Sequence, residues 1–231
     1  MRPPLQRVAG EFVGTAFLLA TVVGSGIMGE RLAAGNTAIA LLANSVATGG
    51  ALIALILTLG PVSGAHFNPL VTLAEVWGGG MERKLAFPYI AAQCAGALTG
   101  VWMAHLMFTQ RVLQVSTHAR GGPAQWFSEV VASFGLLLVI LCCARTQPQS
   151  VPLAVGGYIT AAYWFTASTS FANPAVTLAR ACSNTFAGIR PWDVPFFIAA
   201  QLVGAFAAVL FFRWLYSSET GKERKMAAGS S

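Results

Sequence analysis

A short pattern occurs twice in this chain, once in each half, and it restricts the possible folds more than any other feature. Residues 63–74 read SGAHFNPLVTLA and residues 168–179 read STSFANPAVTLA. Asn is favoured at the N-cap of a helix, and Pro suits the first helical position, where no partner for an N–H exists. Each copy therefore predicts a loop that leads into a short helix, capped by Asn68 in the first half and by Asn173 in the second.

The segments around both copies are strongly apolar. The chain is 55% hydrophobic and only 10% charged, whereas soluble domains carry roughly 25% charged residues. This composition predicts a polytopic membrane protein. The net charge of +6 comes without a basic stripe interleaved with aromatics, so we expect no nucleic-acid partner. Six apolar segments are predicted to span the bilayer: 8–28, 37–59, 85–108, 126–144, 151–165 and 195–216.

The position of the two short helices among these spans indicates inverted repeats. Non-helical backbone is tolerated at membrane depth only where it is buried in protein or lines a watery cavity. Broken helices of this kind lie at the interface between two repeats near the midplane. The predicted fold is all-α, with six transmembrane helices and two re-entrant half-helices. One channel-like domain is expected, with repeat one at 8–108, repeat two at 126–216 and a polar tail at 217–231.

Lys and Arg predict the orientation in the membrane. More of them lie on the side of the termini than on the opposite side, which predicts cytoplasmic termini by the positive-inside rule. The first Asn-Pro loop would then dip in from the cytoplasm and the second from outside.

The paired motif, the six spans and an early Glu in each repeat resemble the aquaporin and aquaglyceroporin (major intrinsic protein) family. The resemblance covers nearly the whole chain. It implies a passive pore for water or small uncharged solutes, usually in a homotetramer, in the inner membrane of a bacterium. The residues that match the pore motif are Asn68, Pro69, Leu70, Asn173, Pro174 and Ala175.

The resemblance also implies roles for single residues. The amides of Asn68 and Asn173 would donate hydrogen bonds to the solute. Glu11 and Glu129 would be buried supports of the two re-entrant loops. The backbone carbonyls that would accept hydrogen bonds from the solute belong to Gly64, Ala65, His66, Ser170, Phe171 and Ala172.

Two positions depart from the family pattern. Leu70 stands where Ala is usual, which we interpret as a packing change at the pore wall. Val176 stands where many members place the Arg of the outer filter. Thr48 and Ser170 match two further filter positions. The fifth-helix position is Ala161, Ala162 or Tyr163, and Ala161 is the residue assigned; the filter would then be wide and apolar, without a fixed cation.

Arg180 lies one helical turn beyond Val176. It could guard the outer mouth and attract anions, or it could be a surface Arg bonded to loop carbonyls.

The leading functional hypothesis is a channel for glycerol-like polyols, arsenite and other metalloid hydroxides, and water. Within the bacterial solute-conducting members, the sequence resembles those associated with arsenic handling. The alternatives are a water-selective channel and a coupled secondary transporter. A non-conducting structural protein and an enzyme fit less well. The His and Cys residues form neither a triad nor a metal-ligand spacing, so no cofactor, no metal and no catalytic residue are expected.

Overall fold

The computed structural model describes residues 2–217, and the regular structure in this range is entirely helical. The helix bounds are α1 Pro4–Leu32, α2 Thr37–Ser63, α3 Pro69–Gly78, α4 Arg83–Met107, α5 Pro123–Thr146, α6 Val151–Phe165, α7 Pro174–Arg180 and α8 Val194–Leu215. The part of the predicted tail beyond residue 217 lies outside the described residues.

Six of these helices cross the membrane. Helices α1, α2, α4, α5 and α8 are long and apolar enough to do so alone. Helix α6 has 15 residues and follows directly on a 3-10 turn, Pro148–Ser150. Turn and helix together reach roughly 28 Å, close to the ~30 Å of a hydrocarbon core. With 10 and 7 residues, α3 and α7 are half-helices, which confirms the predicted fold class.

The long helices pack in two equivalent pairs, α1 with α4 and α5 with α8. Glycine permits the close approach in both pairs. A Cβ on Gly96 would lie 2.3 Å from the carbonyl oxygen of Phe12, and a Cβ on Gly204 would lie 2.3 Å from that of Val130. The two repeats therefore use the same backbone contact at the same place, as expected of small residues between membrane helices.

The end of α2 differs from the sequence expectation. Its span was predicted to stop before Pro61, but the helix continues to Ser63 and is ended by Gly64, which has a left-handed φ of +89°. A proline inside a membrane helix is tolerated when neighbouring groups satisfy the freed backbone. The extension brings Ser63 to the start of the first re-entrant loop.

Polarity is distributed as in a membrane protein with a polar centre. Large apolar side chains such as Phe87, Leu113 and Phe127 are exposed on the outside, where they suit contact with lipid. Glu11 and Glu129 are fully buried. The centre of the bundle therefore contains the polar groups from which a site can be built.

Candidate functional site

The two half-helices begin at Asn caps, as the duplicated motif predicts. Asn68 Oδ1 accepts a hydrogen bond from the backbone N–H of Leu70 at 2.9 Å. Asn173 Oδ1 accepts from the N–H groups of Ala175 at 3.0 Å and of Val176 at 3.3 Å. Each side-chain oxygen thus satisfies N–H groups that a helix start leaves free.

The amides of the same two residues tie the repeats together. Asn68 Nδ2 donates to the carbonyl of Ala172 at 2.8 Å, and Asn173 Nδ2 donates to the carbonyl of Phe67 at 2.8 Å. An amide nitrogen carries two hydrogens, so each Asn keeps one donor that this exchange does not use. Both residues line the central cavity, where that donor can reach a solute.

The loops before the two Asn residues have an unusual backbone. Ala65 and Phe67 in the first loop have φ of 51° and 50°, and Ser170 and Ala172 in the second have φ of 50° and 46°. For residues with a Cβ this left-handed region is unfavourable by about 1–2 kcal/mol each. Both loops therefore need support from outside.

The same loops offer free acceptors. Among residues 2–217, no hydrogen bond ends on the backbone carbonyls of five cavity-lining residues: Gly64, Ala65, His66, Ser170 and Phe171. The sixth predicted carbonyl, that of Ala172, already accepts from Asn68.

Glu11 on α1 holds the first loop. Its carboxylate accepts from the backbone N–H of His66 at 3.0 Å and of Phe67 at 2.7 Å, and from the hydroxyl of Ser63 at 2.7 Å. Gln93 Nε2 is a fourth donor, at 2.8 Å. Hydrogen bonds to an ionised acceptor are stronger than hydrogen bonds between neutral groups. The carboxylate of Glu11 can therefore hold the strained backbone of the first loop.

Glu129 on α5 holds the second loop in the same manner. Its two oxygens accept from the N–H groups of Phe171 and Ala172, each at 2.9 Å. Gln201 Nε2 is the third donor, at 2.6 Å. The contacts with the loop therefore follow one plan in both repeats.

Gln93 and Gln201 have roles in the site that the sequence analysis did not assign. Each donates to a Thr as well as to its Glu: Gln93 to Thr72 at 2.9 Å and Gln201 to Thr177 at 2.8 Å. The signal was present in the sequence, since Ile-Ala-Ala-Gln follows the half-helix in both repeats. Each Gln thus connects a half-helix to the supporting carboxylate.

A cavity of about 460 Å³ runs past these groups. On one side it is lined by the two re-entrant loops and both Asn residues. Apolar side chains from the long helices line it as well: Leu18, Val22, Leu52, Ile56, Leu136, Ile140, Val155 and Ile159. The cavity therefore combines the polar groups of the two loops with a large apolar surface, and Thr48, Tyr163, Glu75 and Arg180 add further polar groups to its wall.

Three of the four predicted filter residues line the cavity, and the fourth does not. Thr48, Ser170 and Val176 line the cavity. Ala161 does not; it is exposed on the outside of α6, two residues away from Tyr163, which lines the cavity and lies within hydrogen-bonding distance of Thr48 at 3.2 Å between the two hydroxyls.

Helical geometry explains this difference. Val151, Val155, Ile159 and Tyr163 form a stripe at a spacing of four residues, whereas residues two apart point away from each other. The aromatic ring and the paired hydroxyls make this end of the cavity bulkier and more polar than the sequence predicted.

Leu70 also lies elsewhere than predicted. It is 1% exposed and packs in the apolar core rather than against the cavity. The residue at this position of the motif therefore affects the packing of α3 and not the cavity wall.

Arg180, at the last residue of α7, is 2% exposed and lines the cavity. Its Nε donates to the carbonyl of Ala187, and its guanidinium carbon lies 3.4 Å from the centre of the Phe171 ring. It is bonded to a loop carbonyl, as one alternative proposed, but it is not a surface residue. Arg180 therefore places a fixed cation on the cavity wall, outside the four predicted filter positions.

Comparison with known proteins gives the family. The model of the family described as "Major intrinsic protein" matches residues 2–151 and 145–230. This chain belongs to the major intrinsic protein family. Its members are membrane channels, so the chain is a multi-pass channel protein and not an enzyme.

The chain is also similar to two named proteins. The chain is 54% identical over 210 residues to "Aquaglyceroporin AqpS" of Rhizobium meliloti (strain 1021), which covers 91% of this chain and 90% of the relative. The fold is similar to the X-ray structure of the aquaglyceroporin from Plasmodium falciparum, with a TM-score of 0.71, 21% identity and coverage of 93% of this chain and 96% of the other.

Proposed function

We propose that this chain conducts small uncharged solutes passively, with glycerol-like polyols foremost and water as well. One observation carries the proposal: free Asn donors and free loop carbonyls line a cavity that also has a large apolar surface from the long helices. A polyol has hydroxyls that need both donors and acceptors, and a carbon backbone that suits an apolar surface. The site residues predicted from the sequence have these roles in the proposal, with three exceptions. Tyr163 replaces Ala161, Leu70 packs in the core, and the carbonyl of Ala172 is already bonded to Asn68.

Val176 supports a solute wider than water. It fills the position from which an Arg would occupy the lumen, and it has no charge or donor. The name of the R. meliloti relative, an aquaglyceroporin, supports the same solute class. We extend the proposal to arsenite, because neutral arsenous acid is a small trihydroxide with hydroxyls spaced like those of glycerol.

The assembly and location follow from the family resemblance. We propose a homotetramer in the inner membrane of a bacterium. Cytoplasmic termini are supported by the excess of Lys and Arg on the terminal side. Native mass spectrometry and protease accessibility of a tagged terminus test these two points.

Flux into proteoliposomes tests the function. Stopped-flow light scattering would compare water, glycerol and arsenite in vesicles with and without the protein. We expect glycerol flux well above that of protein-free vesicles, proportional to the glycerol gradient and unchanged when ion gradients are collapsed. Water flux without glycerol flux would indicate the water-selective alternative. Glycerol accumulation that requires an imposed ion gradient would contradict the channel and indicate a coupled transporter.

A further inference from the structure

The guanidinium of Arg180 has donors that the protein does not use. Its Nε is bonded to Ala187, but within residues 2–217 its two terminal nitrogens donate to no group, although the side chain lines the cavity. A guanidinium offers five N–H donors in a planar fork. Several of them are therefore available at this end of the cavity.

A second, half-buried cation lies near the same aromatic ring. The guanidinium carbon of Arg120 lies 5.1 Å from the centre of the Phe171 ring. Arg120 donates to backbone carbonyls, the shortest bond being 2.8 Å from its Nε to Gly188. Two positively charged side chains therefore lie near the ring of Phe171.

These charges are not matched by nearby carboxylates. Within the described part of the chain, neither guanidinium has a carboxylate at ion-pair distance. The oxygens of Glu129 accept from the second loop and from Gln201 instead. Asp193 accepts from the backbone N–H of Arg120 and pairs with Arg190. A buried charge without a partner is unfavourable, so this end of the cavity favours an anion.

The hydroxyl of Ser170 is a further unused group at the same place. It is buried and has no hydrogen-bond partner among the described residues. Ser170 lines the cavity and directly precedes Phe171, against which Arg180 packs. Val176 also lines this cavity, and its short side chain leaves cavity space that a longer side chain would fill.

We propose that Arg180 and Ser170 form a binding site for a small planar oxyanion in the outer part of the channel, and that the bound anion obstructs the passage of neutral solutes. A guanidinium binds planar oxyanions through two parallel N–H···O bonds, and the Ser170 hydroxyl donates to a remaining oxygen. The site deepens the proposed function, because it makes solute flux depend on the anion present.

Nitrate is a suitable probe, since it is planar, monovalent and ionised throughout the usable pH range. Neutral-solute flux into proteoliposomes would be measured in sodium nitrate and in sodium chloride of equal ionic strength. We expect nitrate to slow the flux saturably, by up to about twofold when half of the sites are occupied and by more as occupancy rises. Equal flux in the two salts at every concentration would overturn the proposal.

Substitutions assign the site. Arg180→Gln should abolish the difference between nitrate and chloride. Arg111→Gln, which changes an exposed loop Arg on the same predicted side, should leave both the flux and the nitrate effect unchanged. A nitrate effect that survives Arg180→Gln would refute the role of Arg180.

A second variant covers the case in which Arg180→Gln does not fold, since Nε is bonded to a loop. Ser170→Ala removes a hydroxyl without a structural partner and should weaken nitrate inhibition roughly three- to tenfold, as the loss of one hydrogen bond predicts. Unchanged inhibition in Ser170→Ala would contradict the site. The readout can be water or glycerol flux, so absence of glycerol flux would refute the proposed solute without affecting this test.

Discussion

The two re-entrant loops have the same supports but different surroundings. In both, an Asn caps a half-helix and bonds the opposite loop, and a buried Glu holds two backbone N–H groups. At the first loop, the hydroxyl of Tyr89 donates to the carbonyl of Ser63 at 2.8 Å and accepts from Nε of Arg7 at 2.9 Å, so a tyrosine separates this loop from its arginine. The second loop contacts two arginines directly, because Arg120 and Arg180 both lie over the ring of Phe171.

This comparison separates two tasks. The groups that both loops share create the midpoint of the channel, where each repeat contributes equally. The two arginines beside the second loop lie towards one end of the channel. There they can affect which solutes pass without changing the midpoint. Substitutions of shared groups should therefore have matched effects in the two repeats, and substitutions at the second loop alone should alter selectivity.

The largest effect is expected from the two Asn residues. Asn68→Leu or Asn173→Leu removes a cap, a bond between the repeats and a donor to the solute. Each should lower solute flux by at least about tenfold per folded protein. Asn36→Leu is a matched control, because Asn36 caps α2 in the same way on an exposed loop and should leave flux unchanged. Normal flux in a folded Asn173→Leu protein would contradict the equivalence of the two loops.

The second-largest effect is expected from substitution of the two carboxylates that support the loops. Glu11→Gln and Glu129→Gln each replace an acceptor oxygen by an NH₂ group, which leaves loop N–H groups unsatisfied at about 1–3 kcal/mol each. Both should reduce thermal stability in detergent, Glu11→Gln more, because Glu11 accepts from one additional donor, Ser63. The control is Glu30→Gln, at an exposed position. A stable Glu129→Gln with normal flux would show that the second loop does not depend on its carboxylate.

A smaller and symmetric effect is expected at the helix contacts. Gly96→Ala and Gly204→Ala each place a Cβ against a backbone oxygen, and overpacking of this kind is unfavourable by about 1–3 kcal/mol. The melting temperature should fall similarly in both, while Gly50→Ala, with no neighbour within 4 Å of the new Cβ, should not lower it. Loss of stability in only one of the pair would indicate that the repeats pack differently.

Local sequence signals predicted well those groups of the site that both loops have in common. The Asn-Pro pairs gave the starts of both half-helices, because a cap and its proline are adjacent in the chain. The residues found only at the second loop were harder to place. Tyr163 was not distinguished from Ala161, since the irregular loop between α6 and Asn173 prevents counting back by a helical period.

The burial of Arg180 was missed for a related reason. It depends on the loop after α7, which returns to place the carbonyl of Ala187 on the Arg180 side chain. No periodic pattern in the sequence predicts that this loop folds back onto α7.

The ratio of glycerol flux to water flux in wild type and in Val176→Arg tests the central claim most directly. The new guanidinium would fill space beside Thr48 and Tyr163 and add a charge close to Arg180. At matched protein density we predict that water flux is at least partly kept, while glycerol and arsenite flux fall, so the ratio drops. An unchanged ratio in a folded Val176→Arg protein would contradict the account, since Val176 would then not control the width of the channel.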